Sequence, residues 1–308
     1  MEHRALGRSG LDVSALALGS WRTYERVPRD RGIALMIAAR EAGIDFLDDA
    51  RYNDETGKAP LRTGYSEVVF GELFRAAGWR RDEVVVSNKL WWEFWPGQSA
   101  AGELDGSLGR MRFDHVDLIY SEKPPAGVPV ADVVEAVTGL IDAGKARAWG
   151  VLNWPAEQIA EAARIAQDEG VPALCAAQLA YSLVLRTQVE NDATDAALEA
   201  CGANVVASAV LAFGALTGRG RTGRAAELPD DPTWQKAFEV GGRLRYLAAE
   251  LDATPVQLAI AFTLANPRVA SVLFGASTPE QVRENVGAVE VLARLGEDEL
   301  SELRSIGA

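Results

Sequence analysis

The sequence predicts a single (β/α)8 barrel over residues 1–308, with a short β-hairpin placed before it. Eight short runs rich in Val, Ile and Leu recur along the chain, and segments with helical patterns separate them. The runs lack clean apolar and polar alternation, which is typical of parallel strands covered by helices on both faces. Strand and helix alternating eight times indicate a closed barrel, which uses about 250 residues as one domain.

Each predicted element has its own signal. The hairpin covers 4–13, around the turn Ser9-Gly10. The predicted strands are 15–21, 44–50, 84–90, 116–122, 148–153, 173–180, 204–211 and 271–276. The predicted helices are 31–41, 66–77, 99–110, 132–142, 155–169, 191–201 and 255–265. Two connections, 51–65 and 212–232, are longer than usual, and both follow the carboxyl ends of strands, where barrel enzymes hold their sites.

Composition excludes several classes of function. The chain has 31 Lys and Arg against 44 Asp and Glu, and this net charge of −13 argues against binding to nucleic acid or to an anionic membrane. Two cysteines and two histidines are too few for a disulfide framework or for a site rich in Cys or His ligands. The N-terminus has charges where a secretory signal needs an apolar core, so we expect a cytoplasmic protein without a membrane span. Whether it forms a homo-oligomer is left open.

Polar side chains lie at the carboxyl ends of the predicted strands, where they would converge at one mouth of the barrel. They are Asp48, Asp49, Lys89, Glu122, Asn153 and Gln178. An Asp and a Lys buried there should pair, because either charge alone would cost several kcal/mol. The pair is either structural or it serves Tyr52, four residues after Asp48. In the second case a nearby ammonium would lower the tyrosine pKa and make the phenol a better proton donor.

Several strings occur in a particular order along the chain: GIDFLDDA (43–50), YSEVVFG (65–71), Lys89 after a valine run, VDLI (116–119), GKAR (144–147), GVLN (150–153), GAS (275–277) and Glu284-Asn285. Their ordered spacing resembles the aldo-keto reductases, most of all bacterial members akin to the potassium-channel β subunits. The resemblance implies an NADP(H)-dependent barrel that reduces carbonyls with an Asp, Tyr, Lys and His tetrad.

The resemblance implies that Asp48 is the tetrad Asp, Lys89 the Lys and Tyr52 the proton-donating Tyr. In the family the Tyr usually comes five residues after the Asp, whereas here the spacing is four. The connection is therefore shorter or re-routed, and Tyr65 is the alternative donor.

Glu122 occupies the position of the tetrad His on the fourth strand. His115 lies at the other end of that strand, about 20 Å away at ~3.3 Å per residue, so it cannot substitute. The steroid 5β-reductases of this superfamily, which reduce a double bond conjugated to a ketone, carry the same exchange. A protonated Glu122 would donate a second hydrogen bond to the substrate oxygen. An ionised Glu122, paired with Lys89 or Lys123, would instead weaken carbonyl reduction.

NADPH or NADP+ is the cofactor that the resemblance implies. Asn153 and Gln178 would bind the nicotinamide carboxamide, and Ser208 stands where the family usually has a stacking aromatic. The other implied cofactor residues are Leu211, Gly214, Leu216 and Arg219 after the seventh strand, and Gly275, Ser277, Gln281, Glu284 and Asn285 after the eighth. A helix N-terminus after Thr278-Pro279 would bind phosphate. Arg219, Arg221 and Arg224 either meet a 2′-phosphate or belong to a solvated connection.

An aromatic cluster, Trp91, Trp92, Phe94 and Trp95, follows Lys89 directly. Part of it is expected to form one wall of a substrate pocket, together with Trp21 and Trp154, and the alternative is that the rings pack among themselves. Such a wall suits a flat or cyclic carbonyl or enone. The leading hypothesis is therefore an NADPH-dependent reductase. The alternatives are an NADP+-dependent sugar or alcohol dehydrogenase and a cofactor-binding regulatory subunit with little turnover.

Overall fold

Eight parallel strands close into a barrel in the computed structural model, which describes residues 1–308. The hairpin strands are β1 (His3–Ala5) and β2 (Asp12–Ser14), paired antiparallel. The barrel strands are β3 (Leu16–Gly19), β4 (Phe46–Asp48), β5 (Val85–Leu90), β6 (Val116–Glu122), β7 (Ala146–Leu152), β8 (Ala176–Ala180), β9 (Asn204–Ser208) and β10 (Val269–Phe274). Their order in the sheet follows the chain, and β10 pairs with β3 to complete the ring. The predicted fold class is confirmed.

Eleven α-helices accompany the strands. They are α1 (Arg29–Glu41), α2 (Tyr65–Ala76), α3 (Ala100–Met111), α4 (Val130–Asp142), α5 (Ala156–Glu169), α6 (Asp192–Cys201), α7 (Pro232–Glu250), α8 (Pro255–Leu264), α9 (Pro279–Val286), α10 (Ala288–Arg294) and α11 (Glu297–Gly307). By length and apolar character no helix qualifies alone as a membrane span, and only α7 and α8 taken together across a 95° bend do.

Helices α7, α10 and α11 were not predicted from the sequence, and several strands are shorter than predicted. Asp231 accepts hydrogen bonds from the backbone N–H groups of Thr233 and Trp234, and Pro232 follows it, so a recognisable start signal for α7 was present. The strand predicted over 204–211 ends at Ser208 because Ala209 has a φ of 53°, which turns the chain out of the sheet.

The hairpin closes one end of the barrel. Leu6, Leu11 and Val13 pack with Phe46 and Tyr120 in an apolar cluster inside the ring of strands. Phe46 begins β4, so the cluster lies toward the amino-terminal ends of the strands. The polar side chains at the strand carboxyl termini lie at the opposite end. A larger apolar cluster fills the space between the sheet and the helices.

Candidate active site

Asp48, Lys89 and Tyr52 meet at the carboxyl ends of β4 and β5. The Lys89 ammonium lies 2.6 Å from Asp48 Oδ2 and donates to the Tyr52 hydroxyl at 3.2 Å. Asp48 is 2% exposed and Lys89 is 3% exposed, so the pair is shielded from water. The expected pairing of an Asp with a Lys at the mouth is present, and the phenol completes a three-residue chain of polar contacts.

The shorter spacing from Asp48 to Tyr52 is accommodated by a tight turn. The Tyr52 N–H donates to the Ala50 carbonyl at 2.9 Å, and the Tyr52 carbonyl accepts from the Gly64 N–H at 2.8 Å. Tyr65 lies elsewhere, at the start of α2, where its hydroxyl accepts a hydrogen bond from Arg29 at 3.1 Å. The geometry therefore favours Tyr52 over Tyr65 as the partner of Lys89.

The expected lowering of the Tyr52 pKa is wrong for the protein alone. Burial raises the pKa well above its usual value, and the carboxylates of Asp48 and Asp49 raise it further. Desolvation and negative neighbours both disfavour a phenolate, and together they outweigh the stabilising effect of the Lys89 ammonium. The hydroxyl is therefore protonated throughout the neutral range, which is the form a proton donor needs.

Two further side chains hold Asp48. The Ser87 hydroxyl donates to Asp48 Oδ1 at 2.7 Å, and the Gln178 amide nitrogen lies 3.4 Å from the same oxygen. Ser87 was not predicted as a site residue, although it precedes Lys89 by two positions and so shares its face of β5. That periodicity was the available signal.

Asp49 is a buried carboxyl beside this cluster. It accepts a very short hydrogen bond from the Ser20 hydroxyl, while its Oδ2 has no partner. Burial raises its pKa well above the usual value, and the charge of Glu67 adds to the effect. The side chain is 0% exposed, so no water compensates an ionised form.

Glu122 ends β6 and is half-buried. Burial raises its pKa, against smaller opposing effects of the Lys123 backbone N–H and the Lys89 charge. None of the salt bridges in the structure involves Glu122, so the alternative of an ion pair with Lys89 or Lys123 finds no support in the geometry. The carboxyl is free to contact a bound molecule.

The two amides expected at the nicotinamide lie at neighbouring strand ends. Asn153 follows β7 with a φ of 57°, and its backbone N–H donates to the Gln178 carbonyl at 3.1 Å. The Asn153 side chain is exposed, whereas Gln178 is 2% exposed and turned toward Asp48. Ser208 is half-buried at the end of β9. The Asn153 amide is thus the one open to a ligand.

The loop after β9 and the start of α9 lie side by side. Arg219 Nη2 is 3.8 Å from Glu284 Oε2. In α9, Gln281 Oε1 accepts from the N–H and hydroxyl of Ser277, at 2.7 and 3.0 Å. Gly275 approaches Thr23 closely, since a Cβ there would lie 3.3 Å from the threonine hydroxyl. Asn285 is 3% exposed, beside these groups on α9.

Not all predicted cofactor residues in this region are open to a ligand. Leu211 is half-buried, and Gly214 has a φ of 102°, a conformation that glycine adopts readily. Leu216 is fully buried, so only its backbone is available to a cofactor. Arg221 is held by Asp230 at 3.1 Å, and Arg224 donates to the Trp21 carbonyl at 3.1 Å. Arg219 is the only arginine of the three that lies beside Glu284.

The aromatic residues divide into a surface group and a core group. Trp21 and Phe94 are 37% and 51% exposed, and the half-buried Trp91 places its ring 5.9 Å from that of Tyr52. Trp92 has a φ of 60° and is buried, and its indole N–H donates to Ser121 at 3.0 Å.

Trp154 is 1% exposed and belongs to the core between sheet and helices. The prediction that Trp92 and Trp154 present a wall to a substrate is therefore wrong. Trp95 is half-buried against Trp92, at 5.5 Å between ring centroids, so packing among the aromatics accounts for part of the cluster.

Comparison with known proteins identifies the family of the chain. A family model described as the aldo/keto reductase family matches residues 15–308. A probable voltage-gated potassium channel subunit beta of Oryza sativa subsp. japonica is 33% identical, over 99% of this chain and 96% of the rice protein. The protein of the same description from Arabidopsis thaliana is 31% identical, over 96% of this chain and 93% of its own length. The chain belongs to the aldo/keto reductase family.

Proposed function

We propose that the protein is an NADPH-dependent reductase of a carbonyl or conjugated enone in a small cyclic or aromatic substrate. The observation that carries the proposal is the contact chain from Asp48 through Lys89 to the Tyr52 hydroxyl. It holds a protonated phenol beside a fixed ammonium at the mouth of the barrel.

The residues that would hold the dinucleotide suit its chemistry. The free Asn153 side chain offers both a donor and an acceptor to a carboxamide. The start of α9 and the exposed Arg219 supply backbone N–H groups and a positive charge for phosphates. The chemistry supplied by the cofactor is hydride transfer to the substrate.

In the proposed mechanism, Tyr52 donates its proton to the substrate oxygen as negative charge develops there. The Lys89 ammonium stabilises the resulting phenolate, and Asp48 keeps Lys89 in place. Lys89 thus matters most after the proton has left, which agrees with the raised pKa of Tyr52 in the protein alone.

Glu122 gives the site a second acidic group. A carboxyl whose pKa is raised by burial and that has no ion-pair partner is suited to donate a hydrogen bond from its neutral form. Two hydrogen bonds to one substrate oxygen favour an enolate, which opens reduction of the conjugated double bond. The partly exposed rings of Trp21, Trp91 and Phe94 offer apolar area to a flat ring.

A regulatory role with little turnover is the second candidate, because both relatives described above are named as probable channel subunits. A dehydrogenase acting on sugars or alcohols differs only in the direction of hydride transfer. The intact contacts of Asp48, Lys89 and Tyr52 favour an enzyme, since binding alone does not need them.

Incubation with nicotinamide-deuterated NADPH and a panel of simple ketones, aromatic aldehydes and cyclic enones tests the proposal. We expect deuterium in the product, at the β-carbon for enones and at the carbonyl carbon for ketones. NADPH binding without label transfer to any substrate would contradict the proposal and favour the regulatory role. Label transfer from a deuterated alcohol to NADP+, with none in the reverse direction, would favour the dehydrogenase.

A further inference from the structure

A buried network next to the site joins the exits of three barrel strands. Glu103, on α3, is 4% exposed, and Arg51, the residue before Tyr52, is 6% exposed. Arg51 Nη2 donates to Glu103 Oε1 at 3.2 Å. Neither residue belongs to the polar side chains at the strand ends, and the proposed function assigns no role to them.

Glu103 accepts two backbone N–H groups as well as Arg51. Its Oε1 accepts from the Trp91 N–H at 2.9 Å, and its Oε2 accepts from the Trp92 N–H at 3.2 Å. These two residues follow β5 directly, so one carboxylate fixes the turn that starts two residues after Lys89. The fixed turn includes Trp92, whose positive φ needs support from its surroundings.

Arg51 ties the segment of Tyr52 to the same point. Its Nη1 donates to Thr63 at 3.0 Å, on the returning side of the 51–65 connection, and to Glu93 at 2.8 Å. The guanidinium also lies 5.2 Å from the centre of the Phe94 ring. A planar group with several donors can hold partners on different segments at once, which a lysine ammonium does less well.

The network extends to Tyr52 through Trp91 and to Glu122 through Trp92 and Ser121. The Trp91 ring packs against the Tyr52 ring at 5.9 Å between centroids. The Trp92 indole donates to Ser121, whose hydroxyl donates to the Glu122 carbonyl at 2.9 Å. Contacts therefore connect one buried ion pair to the segments that carry Tyr52, Lys89 and Glu122.

We propose that Glu103 and Arg51 are positioning residues that set the distance between the Tyr52 hydroxyl and the Lys89 ammonium and hold Trp91 against the phenol. The proposal rests on the proposed function and extends it. It explains how the Tyr52 hydroxyl is held at Lys89 although Tyr52 comes only four positions after Asp48. The pair is almost entirely buried, so it is not positioned to act by direct contact with a ligand. Its effect passes through Tyr52 and Trp91.

Glu103→Gln tests the proposal, and Asp117→Asn is the matched control. Asp117 is also a buried carboxylate, 1% exposed, which accepts a backbone N–H from Val86 at 2.9 Å and binds Arg81 and Arg147. It lies near the amino-terminal end of β6, away from the mouth. Both substitutions remove one buried negative charge from a guanidinium, so both should lower the unfolding temperature.

We expect Glu103→Gln alone to lower kcat, by about tenfold or more, since a misplacement of ~1 Å costs up to about a hundredfold. The KM for NADPH should stay within about twofold of wild type, because the cofactor residues are not in the network. In the protein without ligands, the near-ultraviolet circular dichroism of the packed Tyr52 and Trp91 rings, taken as the difference from Tyr52→Phe, should change in Glu103→Gln and not in Asp117→Asn.

If Glu103→Gln fails to fold, Arg51→Lys decides the question, because it keeps the charge and loses the planar fork. We expect it to lower kcat and to alter the Tyr52 difference spectrum. Equal kcat losses in Glu103→Gln and Asp117→Asn, or an unchanged Tyr52 difference spectrum in both Glu103→Gln and Arg51→Lys, would overturn the proposal. A wild type that binds NADPH without turnover would refute the proposed function instead, and the Tyr52 difference spectrum would still test the positioning.

Discussion

The two sides of the barrel mouth hold their polar groups differently. On the β4 to β6 side, Asp48 and Lys89 are buried and directly bonded, and the tyrosine contacts the ammonium. On the β9 and β10 side, Arg219 is 60% exposed and its nearest carboxylate oxygen is 3.8 Å away. The contacts among Asp48, Lys89 and Tyr52 are already formed without a ligand. The Arg219 guanidinium is instead exposed and available to a negatively charged ligand. A site that performs chemistry on one side and binds a charged molecule on the other needs this division.

Lys89→Met should break the first side and have the largest effect on stability. It leaves the buried Asp48 without its charge partner, so we expect the unfolding free energy to fall by about 3–5 kcal/mol. Denaturant unfolding measures the change. The control is Lys145→Met, since Lys145 pairs with the largely exposed Asp105 at 2.6 Å and its loss should cost about 1 kcal/mol or less. Similar losses of unfolding free energy in both variants would show that the buried Asp48–Lys89 pair matters no more to stability than an exposed ion pair.

Glu122→His should change which substrates react. A histidine in place of the neutral carboxyl should raise simple ketone reduction and lower enone reduction, each by about tenfold, the worth of roughly 1.4 kcal/mol of hydrogen bonding. Rates with one ketone and one cyclic enone measure the shift. Glu122→Gln keeps a neutral donor and should preserve more enone activity than Glu122→His. A parallel fall of both rates in Glu122→His would rule out the second-donor role.

Arg219→Ala should affect the second side alone. The dissociation constant for NADPH should rise by about three- to tenfold, as expected for one exposed charge, with the unfolding free energy within about 1 kcal/mol of wild type. Fluorescence titration and denaturant unfolding provide the two values. Arg221→Ala is the matched control, because Asp230 and the Leu228 carbonyl already hold Arg221. An effect of Arg221→Ala as large as that of Arg219→Ala would contradict the assignment.

Asp49→Asn should give the smallest effect, visible as a difference in pH dependence. Because the folded-state pKa of Asp49 is raised, the folded protein keeps a proton that the unfolded chain releases above its ordinary pKa. That contribution to wild-type stability is complete at low pH and is lost as pH rises toward the folded-state value. Unfolding free energies from acid to neutral pH should therefore fall more steeply in wild type than in Asp49→Asn. Parallel curves would mean that Asp49 is ionised in the folded state.

The fold and the meeting of Asp48, Lys89 and Tyr52 followed from the sequence because barrel topology brings all strand carboxyl ends to one mouth. The upward shift of the Tyr52 pKa did not follow from the sequence, since it depends on burial and on carboxylates carried by separate segments. Trp92 is buried in a segment with a positive φ angle, and Leu216 is buried in an irregular loop, and the sequence has no clear signal for either. The Arg51–Glu103 pair joins residues 52 positions apart, for which spacing carries no signal.

The central claim is that Tyr52 donates the proton, and the kcat of Tyr52→Phe beside that of Tyr65→Phe tests it most directly. Tyr65 is an equivalent control because its hydroxyl binds Arg29 outside the site. We predict that Tyr52→Phe lowers kcat by about 10²- to 10⁴-fold with NADPH binding retained, while Tyr65→Phe stays near wild type. Full turnover in Tyr52→Phe, or a comparable loss in Tyr65→Phe, would contradict the account.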